Sequence, residues 1–554
     1  MISAGKSNLF FEHGVFIVQI TCFGASQCVT GSCFLVDNGR KYLVDCGLFQ
    51  GARHLEAMNH QEWGFNPRDV EALFLTHAHI DHSGRIPKLV RDGFRGRIYA
   101  TKPTVELCKI MLLDSAHIQE MQAEWDSRKN RRRGREEVEP LYTVPDAEAS
   151  FELFETVSED ARIDLNEGLH VRFRNAGHIL GSSILELWSN NGIKPHKVVF
   201  SGDIGKKDQL IVKDPHSIFM ADTLFIESTY GNRNHKPFDE SKKELLEAIH
   251  YSHKHNEKVI IPAFAVERTQ EILYILGEFF REGLIPSMPV YLDSPLAISA
   301  TEIFRKMRTF YDEDAAAIVA EGHDPFHFPQ LVLTRSTQDS MAINETPGAA
   351  IVVAGNGMCT AGRIMHHLKH NIWRKGSSLV IVGFQAEGTL GRRLVDGAQT
   401  VKIFGEQFMV KARLFTIGGF SAHADQSDLL EWLGNFENPL MRVYAIHGEA
   451  NVTRGFARLV QEHLGLIAEA PAIGDIIPLT PFRREEDKEK LEELKWERQL
   501  MQLVQRAEEI RSLWETHPDA FSKNVLRKLE EEISGTEKQL KQVLQGLKKK
   551  ADHT

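Results

Sequence analysis

Four side chains able to ligate a metal ion fall within one short stretch, Thr76-His77-Ala78-His79-Ile80-Asp81-His82. Small or apolar residues separate them, a spacing that lets the backbone curl around a cation. Imidazole suits zinc, and the added carboxylate gives the mixed nitrogen and oxygen set of a hydrolytic site rather than of a closed structural one. Two later islands repeat one grammar, an apolar run, a small residue, one ligand and a turn. Val171-Arg172-Phe173 leads to Gly177-His178, and Val198-Val199-Phe200 leads to Gly202-Asp203. Farther on, a strand delivers Glu227-Ser228-Thr229-Tyr230-Gly231, Gly418-Gly419-Phe420-Ser421-Ala422-His423-Ala424-Asp425 precedes a helix, and Val443-Tyr444-Ala445-Ile446-His447-Gly448-Glu449 ends a strand with a histidine.

Strands must deliver these side chains. Ala72-Leu73-Phe74-Leu75 reads as a strand covered on both faces, because four consecutive apolar residues suit that environment. Upstream, apolar runs near Val15–Val18, Gly31–Val36 and Tyr42–Val44 alternate with turns. Asn38-Gly39 predicts a hairpin between the last two, and the chain then ends the run at Asp45-Cys46-Gly47. Thr223-Leu224-Phe225-Ile226 is a strand that presents Glu227. Helix-like Ser241 to His253, strand Val259–Pro262, a helix opening near Gln270, and strand Val290–Leu292 follow. Strands alternating with helices predict a parallel sheet covered on both faces. Its glycine turns, Gly355-Asn356-Gly357-Met358 and Gly383 to Gly391, would let backbone amides approach a ligand closely.

Between these parts, Pro103 to Met121 has helical spacing and leads into Arg128-Lys129-Asn130-Arg131-Arg132-Arg133-Gly134-Arg135. That stretch reads either as a phosphate-contacting loop or as a solvated loop neutralised by Glu136-Glu137. From about Arg483 charged residues dominate. Leu526, Leu529, Ile533, Thr536, Leu540, Val543 and Leu547 form a heptad seam after an earlier helical stretch, Leu491 to Trp514. A helical hairpin that caps the body, or one that pairs with a second chain, fits this tail equally.

With 554 residues, the chain exceeds what one core organises and predicts two or three domains plus the extension. Hydrophobic content of 42% and charged content of 26% are ordinary for globular protein. Neither an early apolar targeting region nor an 18-residue apolar run is present, so the expectation is a cytoplasmic protein without a membrane partner. The six cysteines form no CxxC pair, which argues against a zinc knuckle or a disulfide framework, and Cys46 reads as a small buried hydrophobe. A net charge of −10 argues against coating of nucleic acid through overall basicity, though a local positive track or bound cations would still admit it as a substrate.

The HxHxDH stretch resembles the signature of the metallo-β-lactamase fold, which lactamases, thioesterases, glyoxalases, phosphodiesterases and nucleases share. Glu227, His423 and His447 in order resemble the three further motifs of its β-CASP nuclease group. The resemblance spans about residues 15 to 480 and is nearest to the bacterial and archaeal relatives of the endonuclease subunit of the cleavage and polyadenylation specificity factor. Asn356 departs from the pattern, which has Ser in that glycine turn.

The resemblance implies an αββα metallo-β-lactamase sandwich, an inserted β-CASP α/β domain and a helical C-terminal extension. The corresponding limits are 1–226, 227–417, 418–482 and 483–554. It implies two zinc ions, one held by His77, His79, His178 and a bridging Asp203, the other by Asp81, His82 and Asp203 with His447 as its cap. Asp45 would orient ligands from behind. Ions about 3.5 to 4 Å apart would activate a water for in-line attack on phosphorus. Asp81 would serve that chemistry, and His423, held by Glu227, would protonate the departing oxygen. RNA is the implied substrate because His447 matches the RNA-acting members, where the DNA-repair branch carries Val. Endonucleolytic cleavage is the leading expectation, with 5′-to-3′ exonucleolytic cleavage beside it. A homodimer through the body or the tail accompanies it. Two rivals are an ester or thioester hydrolase, which would not need the α/β insertion, and a silent scaffold, which would have lost ligands.

Overall fold

The computed structural model describes residues 18–479 apart from 166–167 and 191–194, and the backbone of 11–12 and 15–16. In the tail it describes Ala507, Ile510, Arg511, Trp514, Leu526, Arg527 and Leu529, all helical. The heptad positions from Ile533 to Leu547, and most of the stretch Leu491 to Trp514, lie outside the described residues.

Two seven-stranded sheets are built from strands before residue 228 and strands after residue 441. One runs Ile476–Leu479, Val18–Cys22, Phe34–Asp37, Lys41–Val44, Val70–Phe74, Arg97–Thr101, Phe154–Val157, and the other Ile467–Glu469, Arg442–Ile446, Thr223–Glu227, Pro195–Phe200, Ser183–Asn190, Leu169–Asn175, Arg162–Asp164. Their facing sides share one apolar core, in which the Phe34 ring lies 5.5 Å from Phe200 and 5.8 Å from Phe225. Behind the first sheet, Leu43, Leu73 and Ile98 pack with Leu89 and with Leu107 and Leu112 of helix Lys102–Arg131. Behind the second, helix Gln426–Gly434 carries buried Leu429, Trp432 and Leu433. The predicted hairpin is present: Phe34–Asp37 pairs antiparallel with Lys41–Val44, and Gly39 has a φ of 97° that its Asn-Gly turn requires. Strand Val70–Phe74 is parallel to both neighbours and nearly buried, as its apolar run predicts.

The intervening segment forms a six-stranded, wholly parallel sheet in the order Leu331–Leu333, Val290–Leu292, Ala350–Ala354, Lys258–Pro262, Ser378–Ile381, Arg413–Thr416. Alternate residues point to opposite cores. Val259, Ile261, Ile351 and Val353 join one cluster, and Ile260, Val352, Leu379 and Ile381 the other.

At the carboxyl end of Val290–Leu292, buried Asp293 receives His367 Nε2 at 2.7 Å, Arg363 Nη1 at 2.7 Å, Ser340 Oγ at 2.5 Å and Thr334 Oγ1 at 2.8 Å. Burial acts to raise this carboxyl, but the hydrogen bonds outweigh it and hold the group down at about 2. Because the folded value lies below the unfolded one, the contribution is full above about pH 4 and disappears as pH falls to about 2. Asp293→Asn is therefore expected to cost about 1–2 kcal/mol near neutral pH, after allowance for solvent screening, and to flatten the acid limb. Urea titrations between pH 7 and pH 2 read both effects.

Helix Lys102–Arg131 begins where its spacing predicts but runs on through Arg131, so the basic stretch is not a loop over its first half. Arg128 pairs with Glu124 one turn back, and Arg131 lies 3.6 Å from Glu137. These acidic neighbours extend the helix and neutralise the turn that follows.

Candidate active site

The ligand-type side chains follow the carboxyl ends of strands, on loops or, for Asp81 and His82, on the one-turn helix Ile80–Ser83, and close backbone approaches bring these segments together. The backbone at Gly47 lies so close to Asp81 that a Cβ there would meet the Asp81 carbonyl at 1.5 Å. A Cβ at Gly205 would meet the Gly177 carbonyl at 1.8 Å. Only glycine permits these two contacts, which set Asp81 against the Asp45 strand end and Asp203 against the His178 loop.

Three ring nitrogens converge at the first cluster. His79 Nδ1 lies 3.1 Å from His77 Nε2 and 3.2 Å from His178 Nε2. Asp203 Oδ2 stands 3.5 Å from His77 Nε2 and 3.6 Å from His178 Nε2. At the second cluster, His82 Nε2 lies 3.1 Å from His447 Nε2, and His447 Nε2 lies 3.4 Å from Asp81 Oδ2. The other Asp203 oxygen, Oδ1, stands 3.4 Å from both His82 Nε2 and His447 Nδ1. Asp203 therefore faces both groups of imidazoles.

This arrangement fits bound metal ions. Asp203 Oδ1 is buried without a hydrogen-bond partner, and its nitrogen neighbours lie beyond an ordinary hydrogen bond. Burial and the neighbouring imidazoles push His77 and His178 well below the usual histidine range, and burial takes His79 down to about 4. Neutral imidazole is the form that ligates. Burial acts to raise the Asp203 carboxyl, but the electrostatic influence of the facing imidazoles, His447 and His82 first, holds it well below the carboxylate range. The nitrogen and oxygen donor set is one that zinc accepts.

Behind the ligand-type residues, Asp45 Oδ2 faces His82 Nδ1 at 2.7 Å and accepts Thr76 Oγ1 at 2.9 Å and Ser32 Oγ at 3.2 Å, while Oδ1 accepts the Thr76 amide at 2.8 Å. Asp45 and His447 both adopt left-handed backbone, with φ of 58° and 49°. Such strain in non-glycine residues gathers at functional sites.

Beside the first cluster, the His423 ring centroid lies 4.4 Å from that of His178. His423 Nδ1 lies 3.1 Å from Glu227 Oε1 and 3.2 Å from Oε2. Glu227 is fully buried and accepts the Ile204 amide at 2.7 Å. Burial acts to lower the His423 imidazole, but the Glu227 carboxylate outweighs it and holds the ring up at about 9.

All the residues singled out in the sequence thus meet here: His77, His79, Asp81, His82, His178, Asp203, His423, Glu227 and His447, with Asp45 behind. Several supporting side chains were missed. Thr76 and Ser32 hold Asp45, and Thr229 Oγ1 lies 3.1 Å from His447 Nδ1. Thr76 and Thr229 adjoin motif residues, a signal available to inspection. His235 carries none: its imidazole, pushed down to about 4 by burial, is neutral and donates from Nε2 to the His423 carbonyl at 2.9 Å. Asn356 acts locally, its Oδ1 accepting the Met358 and Thr360 amides at 3.1 and 3.2 Å.

A sandwich of two sheets whose loops gather imidazoles and carboxylates in this way defines a metallo-β-lactamase hydrolase, and residues 27–163 match the family model of that superfamily. Residues 269–394 match the β-CASP domain, and residues 408–471 the Zn-dependent metallo-hydrolase RNA specificity domain. The chain is 37% identical over 444 residues to ribonuclease TTHA0252 of Thermus thermophilus, covering 80% of this chain and 96% of that one. It is 32% identical over 481 residues to the transcription termination factor FttA of Thermococcus kodakarensis, covering 83% of this chain and 71% of that one. The FttA of Methanosarcina mazei is 29% identical over 466 residues, covering 82% and 70%. The chain belongs to the β-CASP ribonuclease family and is a metal-dependent hydrolase. Among the described residues, no helix is long and apolar enough to cross a membrane.

Proposed function

We propose that this protein is a zinc-dependent ribonuclease that cuts RNA phosphodiester bonds internally, in RNA processing or decay. The observation that carries the reading is Asp203, one carboxylate placed between two groups of imidazoles, with His423 fixed beside them by Glu227. His77, His79, His178 and Asp203 would hold one zinc ion, and Asp81, His82, His447 and Asp203 a second. When bound, the ions would supply an activated water and neutralise phosphate oxygens.

The chain's own residues supply the rest. Asp45 fixes the ring of His82 through Nδ1 and leaves Nε2 turned to the cluster. Glu227 fixes His423 through Nδ1, which leaves Nε2 to give its proton to the departing sugar oxygen. The raised His423 imidazole is protonated near neutral pH, as a general acid must be. His235 holds the His423 backbone through its carbonyl, and the Ile204 amide holds the Glu227 carboxylate that orients the ring. RNA as the substrate is supported by the ribonuclease named among the relatives and by His447 at the third motif. The parallel sheet of strands from 258 to 416, interposed between parts of the sandwich, supports domain limits at 1–226, 227–417, 418–482 and 483–554. Six buried, unpaired cysteines suit a reducing compartment such as the cytoplasm.

The deciding experiment incubates 5′-labelled RNA and matched DNA with the protein and with Asp81→Ala, and resolves fragment lengths. Internal fragments from RNA alone, absent with the variant, are expected. Mononucleotides as the first product would establish the 5′-to-3′ exonuclease instead, and cleavage of neither polymer by protein holding two zinc ions would favour the ester hydrolase. In the same preparation, Asp45→Ala is expected to weaken zinc binding by about 10–100-fold, as loss of a ligand's outer partner does. Competition with a chromophoric chelator measures it. Light scattering of the full chain reports whether two copies pair.

A further inference from the structure

Glu267 lies in the inserted α/β segment, at the turn that opens helix Arg268–Arg281. Its φ of 67° and ψ of −62°, with the Arg268 amide bonded to the Val266 carbonyl at 3.0 Å, make it the centre of a γ-turn of the rare, strained kind. Glycine would occupy this backbone at far lower cost. A large acid here must be explained by what its side chain does.

That side chain is 2% exposed and reaches out of its own segment. Glu267 Oε2 accepts the Leu180 amide at 3.0 Å, and the other oxygen, Oε1, is buried with no partner. Arg268, the nearest cation in sequence, is paired with buried Glu271 instead. Burial and the Glu271 carboxylate hold the Glu267 carboxyl well above the usual range. Leu180 belongs to His178-Ile179-Leu180, the loop that carries the third imidazole of the first cluster. Ile179, Leu180 and Val266 share one apolar cluster, so the hydrogen bond is shielded from water.

We infer that Glu267 is a positioning residue, a clamp by which the inserted segment holds the Leu180 amide and so fixes the loop that aims His178 at His77 and His79. This rests on the metal-site reading above. The clamp links completion of the first metal site to docking of the inserted segment on the sandwich. The isosteric neutral amide of glutamine can replace it, whereas removal of the side chain releases the loop.

The test compares full-length, metal-free protein with Glu267→Gly and Glu267→Gln. Glycine suits the backbone at this turn, so the fold is kept while the clamp is lost. Hydrogen exchange of the peptide containing Leu180 is expected to accelerate by about tenfold or more in Glu267→Gly, and zinc binding, read by chelator competition, to weaken by about tenfold. Glu267→Gln is expected to stay within about twofold of the parent on both measures. Unchanged exchange and zinc affinity in Glu267→Gly, or a Glu267→Gln protein as impaired as Glu267→Gly, would overturn the clamp. A His178→Ala control that loses no zinc would overturn the metal-site reading instead, and the exchange of the Leu180 amide would still decide the clamp.

Discussion

Replacing His423 by alanine is expected to slow RNA cleavage by about two to four powers of ten while the protein keeps its metal. The first cluster closes through His77, His79, His178 and Asp203, and the second through Asp81, His82 and His447, without any atom of His423. What the variant loses is a proton donor that Glu227 holds in one orientation. A rival assignment is visible in the same geometry, because Asp203, Glu227 and His423 also present donor atoms within 4.8 Å of one another. Metal analysis separates the two. Zinc retained with slow turnover supports the acid, whereas zinc lost in His423→Ala would make His423 a ligand. Substrates with a better leaving group should recover part of the loss only if the missing group is the acid.

Asp203→Ala is expected to be more severe and of a different kind. Its two oxygens face separate groups of imidazoles, so the substitution removes a donor from both clusters and the negative charge that offsets two cations. Loss of an outer partner costs about 10–100-fold in metal affinity, and this loss should exceed it, with zinc content falling below one per chain and cleavage falling to background. The fold should survive, because Asp203 makes no hydrogen bond through Oδ1 and the surrounding strands are held by their apolar core. Circular dichroism beside zinc analysis checks both halves of the expectation. Two zinc ions retained in Asp203→Ala would show that the carboxylate is not shared.

The sequence was informative where chemistry demands unusual residues at short range. Thr76 to His82 is such a place, since a strand end followed by four donors has few other uses; His178 and Asp203 each follow a strand with a single donor, and Glu227, His423 and His447 were found through the family motifs they match. The parallel sheet was legible because strands covered on both faces are apolar throughout, as in Val259–Pro262. The limits of helix Lys102–Arg131 were not. Its continuation depends on pairs such as Glu124 with Arg128, weak terms that a basic run conceals.

The motifs, through the family they resemble, pointed to the class of fold, the donor set and the list of residues that would meet. Only the tertiary structure decided how they meet: that Asp203 turns one oxygen to each group of imidazoles, that Gly47 and Gly205 allow the loops to touch, and that Thr76, Ser32, Thr229 and His235 hold the ring-bearing residues in place. It also decided that Glu267, across 87 positions of sequence, supports the His178 loop. The physical reason is one of range. Donor type and local pattern are written in neighbouring residues, whereas orientation depends on hydrogen bonds and close contacts between loops that the sequence holds far apart.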